Sequence, residues 1–69
     1  MEFELDIERE DDGRWIAEVV DLPGALADGE TRDRALGAAE ALALCVIADR
    51  LEHGATAPEP VAVSLVAAA

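Results

Sequence analysis

Two aromatic residues, Phe3 and Trp15, are all that this chain of 69 residues carries. Large flat side chains dominate ordinary core energetics, so their scarcity points to a thin core. The hydrophobic fraction is nevertheless 52%, too high for disorder driven by low hydrophobicity. Much of that fraction is alanine, a weak core former. A chain this short buries only about 60% of the surface that its unfolded form exposes. Ordering it costs on the order of 100 kcal/mol. A two-domain enzyme with a deep cleft is excluded, a single domain spanning 1–69 is expected, and help from other subunits is expected with it.

Cysteine is equally scarce. Cys45 stands alone, so an internal disulfide is impossible, and a secreted staple framework or a structural zinc cluster does not fit. Basic residues number 5 against 16 acidic ones, a net charge of −11. Such a surface repels phosphate backbones and anionic membranes, so no direct nucleic-acid binding by this chain alone and no membrane partner are expected. A basic partner is what it attracts. No apolar run approaches the length of a membrane span. No basic, apolar signal peptide opens the sequence, and a cytoplasmic location is expected.

From Glu2 to Glu8 the pattern alternates without a break. Phe3, Leu5 and Ile7 point one way and Glu2, Glu4, Asp6 and Glu8 the other, which is the period of a half-buried strand. Glu10-Asp11-Asp12-Gly13 is a turn signal, with glycine supplying a positive φ. Arg14 to Val20 then reads as the second strand of a hairpin. Its Trp15, Ala17 and Val19 share the face of Phe3, Leu5 and Ile7, leaving Ile16, Glu18 and Val20 outside. Asp21-Leu22-Pro23-Gly24 breaks that strand. Ala25 to Ala27 is a short third strand, and Asp28-Gly29-Glu30 reads as a second turn.

Thr31 has the chemistry of a helix N-cap, and Asp33 suits the positive end of the helix dipole. The helix is predicted to reach Leu51 or Glu52, with His53-Gly54 as its C-terminal cap. Ala35, Leu36, Ala39, Leu42, Ala43, Val46 and Ile47 form the stripe expected to cover the sheet. The opposite face carries Gly37, Ala38, Ala41, Leu44, Cys45 and Ala48. Between Asp33-Arg34 and Asp49-Arg50 the only charge is Glu40. A helix apolar nearly all round is buried on both sides, and here the second burial must come from another molecule. Ala55 to Pro60 reads as a linker stiffened by two prolines. Val61 to Val66 returns to β character with little polar protection on either face. The order β-β-β-α-β predicts an α+β two-layer sandwich, one helix on a small sheet.

Candidate chemistry is sparse. His53 is the lone histidine and sits at a helix end, where the dipole explains it. One histidine and one cysteine do not make a zinc site. Cys45 lies mid-helix among Leu44, Val46 and Ala48, with no cation to stabilise a thiolate, so packing is its expected role. The row Glu2, Glu4, Asp6 and Glu8 invites a metal or acid–base reading but lacks a second set of ligands, and a solvated face explains it. Asp11-Asp12-Gly13 lacks the remaining ligands of a calcium loop. Ser64 is the lone serine, without a glycine turn to expose it, and no phosphate-cradling glycine loop exists. No catalytic residue, metal ligand or cofactor is expected, and no enzyme.

One ordered series of motifs is more specific. It comprises Asp11-Asp12-Gly13-Arg14-Trp15-Ile16-Ala17-Glu18-Val19-Val20-Asp21-Leu22-Pro23-Gly24, then Asp28-Gly29-Glu30-Thr31, then Arg34-Ala35-Leu36. The series resembles the HicB family of bacterial and archaeal antitoxins over roughly residues 3 to 52. The shared pieces are an acidic-glycine hairpin, an aromatic-x-Ala-Glu-Val strand, the Asp21–Gly24 turn, a Gly-x-Thr helix cap at Gly29 and Thr31, and an Ala-Leu helix opening. Val20 stands where the family often has proline, and Ala25 where cysteine is frequent.

The resemblance implies a partial RNase H-like fold without nuclease activity. It also implies binding and neutralisation of a small basic HicA-type toxin that cleaves mRNA. Many members add a C-terminal DNA-binding segment. None follows Val66 here, so promoter binding by this chain alone is not expected. The partner-facing candidates are Glu2, Glu4, Asp6, Glu8 and Glu18. Gly37, Ala41, Leu44, Ala48, Val61, Val63 and Leu65 are the candidates for a homodimer or homotetramer interface. Two other classes of function remain open at this point: a structural oligomerisation domain without a toxin, and a small-ligand-binding or residual hydrolytic domain built on the acidic strand.

Overall fold

A computed structural model of the chain describes residues 2–54 and 62–67. Strand β1 (Glu2–Arg9), strand β2 (Trp15–Val19), strand β3 (Leu26–Gly29), helix α1 (Arg32–Glu52) and strand β4 (Ser64–Ala67) follow in chain order. The fold is α+β, a four-stranded mixed sheet of order β3-β2-β1-β4 with one helix on it. β1 and β2 pair antiparallel with Leu5 opposite Val19 and Ile7 opposite Ala17. The expected faces therefore hold: the odd positions of both strands share one side. β4 pairs parallel with β1, Phe3 opposite Leu65. Parallel neighbours need a crossover, and α1 is that crossover, carrying the chain from the β3 edge to the opposite edge.

Local chemistry sets each boundary. At the β1–β2 hairpin the Gly13 N–H donates to the Glu10 carbonyl at 3.0 Å, and the Glu10 N–H donates to the Arg14 carbonyl at 2.7 Å. Gly13 takes φ 91°, as a three-residue loop with a glycine bulge requires. The Asp12 carboxylate accepts from the Arg14 N–H at 3.0 Å and shortens β2 to begin at Trp15 rather than Arg14. After β2, the Leu22 N–H donates to the Val19 carbonyl and the Ala25 N–H to the Leu22 carbonyl. Pro23 and Gly24, with φ 88° at Gly24, make the second of these a type II turn.

Four expectations about β3 and α1 are corrected. Asp28-Gly29-Glu30 is not a turn: Asp28 and Gly29 pair with Ile16 and Trp15 as the end of β3. Gly29 is accordingly no helix cap. It is buried against the helix start, where an added Cβ would stand 2.6 Å from the Ala35 nitrogen. Thr31 alone caps α1, its hydroxyl accepting from the Arg34 N–H at 3.1 Å. Ala25 leaves the strand for the turn, where it is buried. Leu42, placed in the buried stripe from sequence, is 40% exposed. The helix lies over β3 and β2 and barely reaches β1, so its buried arc is centred on Ala35, Ala39, Ala43 and Ile47. Leu42 falls outside that arc, and Leu36 and Val46 flank it half-buried.

The C-terminal cap follows expectation, with His53 at the cap and Gly54 at φ 75°. β4 starts at Ser64, three residues later than the sequence pattern implied. The linker Ala55–Pro60 and Val61 lie outside the described residues. The core is Leu5, Ala17, Val19, Leu22, Ala25, Ala35, Ala39, Ala43 and Ile47. Five of these nine are alanine, so helix and sheet meet through small side chains and the layer between them is thin. Among the described residues none that is polar or charged is buried, and no helix is long and apolar enough to cross a membrane.

Candidate interaction surfaces

The helix covers one side of the sheet and leaves the other to solvent. On that open side the pairing sets Asp6 directly opposite Glu18, and Glu8 opposite Ile16. Leu26 stands opposite Glu18 on the next strand, with Asp28 opposite Ile16. At the other edge Glu2 faces Ser64 and Glu4 faces Val66. The Val20 N–H donates to the Glu4 carbonyl at 3.1 Å and extends the ladder by one position. All five expected partner-facing carboxylates, Glu2, Glu4, Asp6, Glu8 and Glu18, are exposed and lie on this one surface.

Apolar side chains are set among them. Val20 is 54% exposed, Leu26 52% and Val66 48%, while Ile16 is half-buried. The outward placement of Ile16 and Val20 follows from the alternation of β2. That of Leu26 and Val66 depends on the β2–β3 and β1–β4 registers, which one strand's pattern does not contain. Cations are confined to one corner: Arg14 bonds Asp28 through Nε at 3.1 Å. Like charges directly opposite on a sheet face are destabilising, and the Asp6–Glu18 pair has no described cation bonded to it. An open depression of about 310 Å³ at the β1–β4 junction is lined by Glu2, Phe3, Glu4, Val66 and Ala67. Neither a nucleophile nor a set of converging donors lines it. No three His, Cys, Asp or Glu side chains among the described residues group to hold a metal ion.

A second surface lies on the helix, away from the sheet. Gly37, Ala38, Ala41, Leu42, Leu44, Cys45 and Ala48 are all exposed there. Of the other self-association candidates, Val63 is exposed, ahead of β4, and Leu65 is half-buried on the helix side of the sheet. Asp21, Pro23 and Gly24 of the turn are exposed, whereas Leu22 points into the core at 1% exposure. His53 is exposed at the helix end, its Nδ1 2.8 Å from the Asp49 carbonyl. Comparison of the chain with family models, curated proteins and solved structures finds no match.

Proposed function

We propose that this chain is a HicB-like interaction module of the cytoplasm that captures a small basic ribonuclease and covers its RNA-binding surface. The observation that carries the reading is the open sheet face. It presents Glu4, Asp6, Glu8 and Glu18 in register around Val20, Leu26 and Val66. Apolar side chains supply area for burial, and the carboxylates supply complementarity to a cationic surface that otherwise holds phosphates. The motif series from Asp11 to Leu36 supports the same reading, and the mixed sheet with its single helix accommodates a partial RNase H-like architecture. The module acts by occupancy, with no nuclease chemistry and no DNA contact of its own.

The test is co-expression with a small basic mRNA-cleaving ribonuclease of the HicA type. Neutralisation of its RNA cleavage is expected, and it is expected to fail when Asp6 and Glu18 are replaced by Asn and Gln. Cleavage that proceeds unchanged beside the wild-type chain, or protection indifferent to those replacements, overturns the reading.

A further inference from the structure

The two strands at the β4 edge of the sheet are unequally matched on its two faces. On the helix side Phe3 stands opposite Leu65, and both are half-buried. On the open side Glu2 stands opposite Ser64 and Glu4 opposite Val66. No described cation is bonded to either carboxylate. The open depression of about 310 Å³ lies at this junction, with Glu2 and Glu4 on one strand and Val66 and Ala67 on the other. The short side chains of β4 leave it unfilled.

β4 is also the most lightly held element. Three of its four residues are exposed, and none belongs to the buried core. The helix rests on β3 and β2, so β4 touches β1 and little else. Its ladder with β1 spans only Ser64 to Ala67. The crossover through α1 holds it parallel, the slightly less stable arrangement per residue.

We propose that a strand of the basic partner replaces β4 on the edge of β1, with basic side chains opposite Glu2 and Glu4 and an apolar one between them beside Phe3. Only the partner's basic character is carried over from the reading above. Main-chain bonds to β1 supply the affinity of such strand addition, and the alternate side chains supply its specificity. Opposite charges across a ladder stabilise it, and β4 offers none. Long basic side chains lay their aliphatic stems into the depression and keep their heads at the carboxylates. An incoming strand is not tethered through α1, so the antiparallel direction is open to it. The order basic-apolar-basic reads the same both ways, and the pairing with Glu2, Phe3 and Glu4 survives either direction.

A labelled peptide tests this on the full chain, with Lys-Leu-Arg-Ala between threonine flanks as the replacement for Ser-Leu-Val-Ala. By fluorescence anisotropy at low salt it is expected to bind about tenfold tighter than a Ser-Leu-Val-Ala peptide. Glu2→Gln with Glu4→Gln is expected to remove that preference. Hydrogen exchange is expected to show the amides of Ser64 to Ala67 losing protection when the peptide binds, while those of β2 and β3 keep theirs. Ser64→Lys with Val66→Arg fills the edge from within, and is expected to raise the melting temperature and to weaken the peptide about tenfold. No binding, as results if a second copy's β4 takes the edge, overturns the proposal. So does binding with β4 still protected, which places the peptide outside β4 or on the open face, or binding indifferent to either pair of substitutions. The assay contains no ribonuclease, so the two readings fail separately. Neutralisation without peptide binding refutes strand replacement alone, and peptide binding without neutralisation refutes the capture of a ribonuclease alone.

Discussion

A methyl group added to Gly29 has no room. Its Cβ would stand 2.6 Å from the Ala35 nitrogen and 3.0 Å from both the Arg34 carbonyl carbon and its Cβ. Two of those three atoms are backbone at the start of α1, so relief requires the strand and helix to separate. Overpacking of this kind costs about 1–3 kcal/mol. Gly29→Ala is therefore expected to lower the urea midpoint markedly, and a midpoint equal to wild type would show that the β3–α1 contact is looser than described. The glycine was readable from sequence only as a turn residue. Its role depends on how closely Trp15, its partner across the ladder, and Ala35 above it draw the layers together, and no local pattern carries that distance.

At the scale of elements, the loop from Val20 to Ala25 is the most demanding piece of chain. Val19 donates to the Ala25 carbonyl and accepts from Leu22, so two turns fold back on one residue. This places Leu22 among the largest fully buried side chains, with Leu5 and Val19. In a core built mostly on alanine, few other side chains are available to fill the space it leaves. Leu22→Ala is expected to destabilise the fold by about 2–5 kcal/mol, read from thermal or denaturant unfolding. A loss well below this would mean that the turn, and not the side chain it inserts, closes the end of the sheet. Elements of this chain were legible where the signal is local: the alternation of Glu2 to Glu8, the glycine at the hairpin, and Thr31 as N-cap. The position of β3 and the exposure of Leu42 were not, because both follow from where the helix rests on the sheet. The acidic row on β1 could be read from alternation alone. Its juxtaposition with Leu26 and Val66 could not, since register across three strands joins them.

The whole molecule carries its charge unevenly, and that has a cost in the isolated chain. Asp6 and Glu18 face each other across the ladder, with Glu4 and Glu8 beside Asp6 on the same surface. Repulsion among exposed charges falls as salt shortens the Debye length from about 10 Å at 0.1 M to about 3 Å at 1 M. The folded state holds these carboxylates closer together than the unfolded chain does, so added sodium chloride is expected to raise the melting temperature. Glu18→Gln removes the charge opposite Asp6. It is expected to raise stability by a few tenths of a kcal/mol at low salt and to flatten the salt response. A solvated face with no binding role and a face kept for a cationic partner then differ in one further measurement. In the first case Glu18→Gln is a gain without loss. In the second, the more stable variant protects RNA less well from the basic ribonuclease. Glu18→Gln with wild-type stability, wild-type salt dependence and full protection would show that the Asp6–Glu18 pair neither strains the fold nor meets a partner.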